Sequence, residues 1–261
     1  FMACKRHFGM RSWTEWEDED IRLRRSQLVL EQYRTLLRED VELFTYIQFL
    51  FFRQWTALKS YINSLGMGII GDLPIYVAMD SADVWAEPEM FQLDEHNVPT
   101  EVSGVPPDCF SEDGQLWGNP LYNYEAMAKD GFGWWIRRIG GAQKLYDVIR
   151  IDHFRGFESY WAIPYGETTA KNGRWVKGPG MALVGVLTGW FPQLEFIAED
   201  LGYPTPGVAQ LLRDSGWPGM KVLEFAFDSR DGGDYRPHSY PTNCICLLYT
   251  SPSPRDAHES R

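Results

Sequence analysis

Asp152 and Glu199 each stand at the end of a short apolar run that breaks into a polar, glycine-containing loop. The runs are Val148-Ile149-Arg150-Ile151-Asp152-His153-Phe154-Arg155-Gly156 and Phe196-Ile197-Ala198-Glu199-Asp200-Leu201-Gly202. Such runs read as buried strands, and in a parallel barrel the carboxyl ends of the strands carry the chemistry. Two carboxyl groups delivered to one rim suit cleavage of a glycosidic bond with retention. One attacks the anomeric carbon, the other serves the glycosidic oxygen as acid and then base, and the two lie roughly 5–5.5 Å apart.

Asp152 suits the nucleophile. Arg150, two residues earlier on a strand, projects from the same face, and its guanidinium favours the charged carboxylate. Glu199 suits the acid/base, because a carboxyl in an apolar setting holds a raised pKa. His153 can donate a hydrogen bond to a sugar hydroxyl. Each motif also has a plainer reading: Arg-Ile-Asp as an ion pair that only holds the fold, and Ala-Glu-Asp-Leu-Gly as the start of a helix. Their occurrence on successive strands weighs toward chemistry.

The chain has 261 residues and is 44% hydrophobic, enough for a sizeable core in one large domain or two small ones. A net charge of −11 argues against nucleic acid or an anionic membrane surface as a partner. The 11 Trp, 13 Tyr and 15 Phe suit stacking on sugar rings, although most must serve the core. Four irregularly spaced cysteines (Cys4, Cys109, Cys244 and Cys246) imply no disulfide framework, and a reducing compartment is the default. Cys244 and Cys246 would share one face of a strand, where core packing is expected rather than a metal site. The first residues lead into no apolar stretch. The longest apolar segment, Leu43 to Phe52, falls far short of the ~20 residues of a spanning helix. The expectation is a soluble, cytoplasmic protein with no bound metal.

The elements that must position the two acids follow from periodicity. Ser12-Trp13-Thr14-Glu15 reads as a capping box. From Ser26 to Leu65 the pattern is helical with one break near Arg38 to Asp40. Phe44, Ile47, Phe51, Trp55, Leu58, Ile62 and Leu65 form an apolar stripe that ends at a capping Gly66. A strand ending at Asp72 comes next, and then a stretch without sustained periodicity from Ala78 to Tyr124. Its length marks it as functional, and its aromatics argue against disorder. A helix carrying Trp134, Trp135 and Ile139 leads to the strand ending at Asp152. A Gly- and aromatic-rich excursion (Gly156 to Trp190) precedes the strand ending at Glu199. A helix over Val208 to Ser215 and a strand over Met220 to Phe227 follow. Alternation of strand and helix implies βα units and a parallel sheet. From Leu247 to Arg261 the chain turns Ser/Pro-rich and reads as an unstructured tail, foreign to the rest, which leaves 1–246 as the folded part.

Gly71-Asp72-Leu73-Pro74-Ile75-Tyr76-Val77, Gly104-Val105-Pro106-Pro107-Asp108 and Gly114-Gln115-Leu116-Trp117-Gly118-Asn119-Pro120-Leu121-Tyr122 resemble motifs of the 4-α-glucanotransferases, glycoside hydrolase family 77. Arg150 to Gly156, Ala198 to Gly202, Pro218 to Leu223 and Tyr240 to Asn243 are similar to further motifs of that family, in the same order. The resemblance runs from about Phe8 to Cys246. It implies an α/β fold, a partial (β/α)8 TIM-type barrel with long inserted loops, which transfers part of an α-1,4-glucan to a sugar acceptor without a cofactor. It implies Asp152 as nucleophile and Glu199 as acid/base, with Asp72, Asp108, Gln115, Trp117, Arg150 and His153 lining sugar subsites. The loop over Pro106 to Tyr122 would shield the glycosyl-enzyme from water, as transfer requires. Internal loop packing is the alternative for Gln115 and Trp117.

The chain also departs from the family pattern. Where the family continues into Tyr-Thr-Gly-Thr-His-Asp with a third catalytic carboxylate, Tyr249-Thr250 is followed here by Ser251-Pro252. The family's N-terminal segment has no counterpart before Phe1. The chain therefore reads as an internal fragment with four or five of eight barrel strands, inactive by itself. Other readings are an α-amylase-like hydrolase, a non-catalytic glucan-binding domain, and a truncated frame without function.

Overall fold

A computed structural model describes residues 1–108, 111–202, 205–227 and 235–247. Helices α1 (Met2–His7), α2 (Glu19–Arg22), α3 (Gln27–Leu36) and α4 (Arg38–Ser64) come first, followed by β1 (Ile70–Leu73) and α5 (Ala82–Ala86). Next are β2 (Glu101–Val105), β3 (Gln115–Pro120), α6 (Tyr124–Lys129), α7 (Gly133–Ala142), β4 (Val148–Ile151), β5 (Ser159–Pro164) and β6 (Arg174–Lys177). The chain continues through α8 (Met181–Trp190), β7 (Glu195–Ala198), α9 (Pro206–Ser215), β8 (Gly219–Val222) and β9 (Cys244–Leu247).

Two parallel units carry the site. β1, β4 and β7 form a parallel sheet in that order, and β8 pairs in parallel with β9. The Ala198 amide donates to the Pro218 carbonyl at 2.9 Å, linking β7 to the start of β8. Ile149, Ile151, Phe196 and Ala198 turn toward the helices and are buried in the main core with Trp135, Ile139, Leu183 and Leu187. Gly71 permits close approach of the turn before β4, since a Cβ there would lie 2.0 Å from the Tyr146 ring. The result is part of a (β/α)8-type barrel, and the described strands do not close a ring.

The local signals for helix ends hold. The break in the first long helical region falls at Leu37, between α3 and α4. At Gly66 (φ +75) the amide donates to Asn63 and that of Met67 to Ile62, the paired bonds of a Schellman cap. Thr205 caps α9, whose C-terminus turns at Gly216 (φ +70).

Other expectations change. Residues 13–15 form a single 3-10 turn too short for a capping box, and the Ser12 hydroxyl bonds Thr14 at 2.9 Å instead. The stretches from Ala78 to Tyr124 and from Gly156 to Trp190 contribute an antiparallel sheet in the order β3-β2-β5-β6. The strand expected over Met220 to Phe227 ends at Val222 and winds into a 3-10 turn over Leu223–Phe227. Cys246 is exposed and Cys244 half-buried, so this pair does not pack the core. Leu247, expected in the tail, closes β9 opposite Val222, and the remaining tail residues, 248–261, lie outside the described residues.

α4 shows the largest difference. Of its apolar stripe, Phe44, Trp55 and Ile62 are half-buried, while Ile47, Phe51, Leu58 and Leu65 are exposed. Arg6 of α1 pairs with Asp40 near the start of α4 at 2.8 Å, and the C-terminal half of α4 is tied to the segment before β4. Trp55 Nε1 donates to the Leu145 carbonyl at 2.8 Å, Lys59 pairs with Asp147 at 3.1 Å, and Asn63 donates to Asp147 at 2.9 Å. No helix among the described residues is long and apolar enough to cross a membrane.

Candidate active site

Strand register brings the polar groups together. Asp72 of β1 lies opposite Arg150 of β4, which lies opposite Ile197 of β7. Residues two apart share a face, so Asp72, Arg150 and Asp152 project away from the helix layer. Asp152 and Glu199 stand one residue beyond their strands. The Asp152 amide donates to Leu73 and the Glu199 amide to Ile151, each at 3.0 Å, so the ladder runs past the strand ends and sets both backbones.

Arg150 occupies the centre. Its Nη1 donates to Asp72, its Nη2 to Asp152 Oδ1 at 3.3 Å, and its Nε lies 3.3 Å from Met220 Sδ. The expected pull of Arg150 on Asp152 is present but outweighed. Burial pushes the Asp152 pKa up, Arg150 draws it down, Asp72 adds an upward push, and the net direction is up.

Glu199 is buried, and both its carboxylate oxygens accept backbone amides. His153 N donates to Oε2 at 2.8 Å and Leu201 N to Oε1 at 2.9 Å. Burial pushes its pKa up to about 7, with the Asp152 charge adding to the rise and the two amides and Arg150 opposing it. Such a carboxyl can hold a proton near neutral pH and release it. Beside it, the buried His153 imidazole falls to about 3 through desolvation and the nearby Arg155 charge, so it is neutral and can donate a single N–H.

β3 brings Trp117 to the same place, with its ring edge-on to His153 at 4.8 Å and 6.3 Å from that of Tyr76. Trp117 Nε1 donates to Gln115 Oε1 at 3.1 Å, and both side chains are exposed rather than packed inside the loop. The strand is anchored nearby by Asn119 Nδ2, which donates to the Val77 carbonyl at 3.0 Å. Asp108 lies in the loop after β2, where its carboxylate accepts the Ser111 amide at 2.8 Å. Asp72, Arg150, Asp152, His153, Glu199, Trp117 and Gln115 thus form one connected group.

Sequence reasoning missed the supports. Asp200, its pKa raised by burial, accepts the Met220 amide at 2.7 Å and ties β8 to the loop that bears Glu199. Arg138 of α7 donates to the Pro74 and Ile75 carbonyls and to the Tyr122 hydroxyl, and lies over the Trp134 and Trp135 rings. A signal existed: Arg138 falls three and four residues after two buried tryptophans, on their face of the helix. Among the described residues, no cluster of three or more His, Cys, Asp or Glu side chains is arranged to hold a metal ion.

Parallel strands with polar groups at their carboxyl ends, separated by helices, define a piece of a (β/α)8 barrel of the kind that works at this rim. The family model described as 4-alpha-glucanotransferase matches residues 1–253, and the chain belongs to that family. It is 48% identical over 251 residues to a 4-alpha-glucanotransferase of Clostridium butyricum, covering 96% of this chain and 51% of that protein. It is 48% identical over 257 residues to one from Thermus thermophilus, covering 98% and 51%. The solved structure of amylomaltase from Streptococcus agalactiae in complex with acarbose superposes with a TM-score of 0.91 at 44% identity, covering 95% of this chain and 50% of that one. The chain spans about half the length of the curated relatives it matches.

Proposed function

We propose that this chain carries the nucleophile and the acid/base of a retaining 4-α-glucanotransferase. Asp152 attacks the anomeric carbon of an α-1,4-glucan while Glu199 gives its proton to the departing glycosidic oxygen. The glycosyl group then rests on Asp152 as an ester. A hydroxyl of an incoming glucose or maltooligosaccharide, deprotonated by Glu199, displaces Asp152 and restores both groups. Maltooligosaccharides and segments of starch or glycogen are the substrate class, and the cytoplasm is the proposed location.

The observation that carries this reading is the contrast between neighbouring strand ends. One carboxylate faces a guanidinium, and the other is buried with its pKa near 7. Asp72 and Arg150 would receive sugar hydroxyls, His153 would donate to one, and Trp117 with Gln115 would flank the ring bound beside them. Asp108 belongs to the same subsites in this reading. The open set of strands leads us to expect no disproportionation of maltotriose by the chain alone.

The test is a chimera in which residues 1–246 replace the matching half of the Clostridium butyricum relative. The chimera should convert maltotriose to glucose and longer oligomers. Asp152→Asn should lower that rate by about 10³-fold or more. A chimera that only hydrolyses maltotriose, or one that Asp152→Asn leaves active, would overturn the proposal.

A further inference from the structure

We infer that the left-handed backbone of His153 is a positioning element for Glu199, turning successive amides of the nucleophile loop onto that residue. His153 has φ 54° and ψ 47°, a conformation few non-glycine residues adopt, though His enters it more readily than most. From this turn His153 N–H donates to Glu199 Oε2 at 2.8 Å, and Phe154 N–H donates to the Glu199 carbonyl at 2.9 Å. One amide thus fixes the Glu199 side-chain carboxylate and the next fixes its main-chain carbonyl. The two amides come from the loop bearing Asp152, so the geometry of one carboxylate is set by the backbone that carries the other.

The turn is held on its far side as well. Gly156 N donates to the His153 carbonyl at 2.9 Å, and a Cβ on Gly156 would fall 2.7 Å from Ile75 Cδ1. Backbone strain at a site over-determined by its surroundings is retained where it serves function. On this inference, which rests on reading Glu199 as the acid/base, the imidazole and the backbone of His153 have separable roles.

The groups facing Glu199 are Asp152 and Arg150 from the β4 side, with Asp72 of β1 acting on both. Asp200 stands beside it in its own loop, and the His153 imidazole, against the Trp117 ring, is neutral. A hydrogen bond to the ionised carboxylate favours its charged form, so losing the His153 amide must raise the Glu199 midpoint.

The experiment uses the chain as it stands, without substrate. The Glu199 side-chain carboxyl carbon is followed by NMR through a pH titration, its signal assigned by its absence in Glu199→Gln. Four variants delete the imidazole equally: His153→Gly and His153→Asn accept the left-handed turn, whereas His153→Ala and His153→Val oppose it. The expected result is a near-parental midpoint for Gly and Asn. For Ala and Val, the midpoint should move up by about one pH unit or more, the tenfold change that one charge-assisted hydrogen bond carries. If Val does not fold, the Ala and Gly pair decides. Equal midpoints in Ala and Gly, whether shifted or not, overturn the inference. Because no turnover is measured, a failed catalytic reading in the chimera would leave this result intact, and the reverse also holds.

Discussion

Asp72 and Asp152 share one guanidinium. Arg150 donates to both, while the Asp72 charge pushes the Asp152 pKa upward and Arg150 pulls it down. The nucleophile candidate is therefore tuned from β1 as well as from its own strand. Asp72→Asn should remove the repulsion and leave the guanidinium freer for Asp152, and both effects lower the Asp152 midpoint. A carboxyl-resolved NMR titration reads this directly, and an unchanged or raised midpoint would contradict the shared-guanidinium account. Arg150→Met should move the same midpoint up, and by more, since it removes the favourable charge altogether.

Glu199 makes stability depend on pH in a definite direction. Its folded pKa stands at about 7 against an ordinary 4.5, so between those values the folded state binds more protons than the unfolded state. The stabilisation is full below about 4.5 and is lost as pH rises through 7. It corresponds to about 3 kcal/mol for a shift of that size. Asp152 and Asp200 are shifted in the same direction, whereas Glu158 is held down by its Lys177 and Ser159 partners and acts at lower pH. Glu199→Gln should flatten the fall in unfolding free energy between pH 5 and pH 8. Its amide cannot accept from both the His153 and Leu201 amides, so the variant loses a bond at every pH. Urea unfolding at the two pH values therefore reads the slope and ignores the offset. Parallel pH profiles for parent and variant would show that Glu199 does not titrate in this window.

Sequence made the strand ends legible because the signal there is local: an apolar run that ends at an acid, with a glycine close by. Asp72, Arg150, Asp152 and Glu199 fall together once those strands are placed in parallel register. The four-stranded antiparallel sheet was hidden for a physical reason. Its strands are short, β2 carries Gly104 opposite Trp161, and β2 pairs with β5 some sixty residues away, so no window of sequence contains the pairing. The amides on Glu199 were equally invisible, since a backbone donor has no residue type to announce it. The stripe on α4 shows the limit of periodicity, which locates an apolar face but not its cover.

That uncovered face has a measurable consequence. Ile47 and Leu58 are 46% and 47% exposed, with Phe49, Phe51 and Phe52 also at the surface of the same helix. Ile47, Phe51 and Leu58 lie on one side of the helix, and an exposed apolar row of this kind favours association in water. The chain should show concentration-dependent mass in sedimentation velocity, and Ile47→Glu with Leu58→Glu should shift it toward monomer with little loss of helicity. A parent chain that stays monomeric across the micromolar range would sink this prediction.

Arg138 makes the strongest case for a support remote from the carboxylates. It joins α7 to the segment that follows Asp72 by donating to the Pro74 and Ile75 carbonyls, and it reaches Tyr122 at 2.9 Å. Tyr122 in turn donates to the same Ile75 carbonyl at 2.6 Å, so one carbonyl gathers helix, strand end and the loop after β3. Removing the guanidinium takes this donor from the Pro74 carbonyl, leaves the Ile75 carbonyl with Tyr122 alone, and strips a cation from two tryptophan faces. Arg138→Met should cost about 2–3 kcal/mol in urea unfolding. Arg138→Lys should recover only part of that loss. An ammonium keeps the charge but cannot span both carbonyls and the hydroxyl with a planar fork. Equal stability of the Lys variant and the parent would mean that charge alone matters here, and the fork geometry would then have no part in holding the rim.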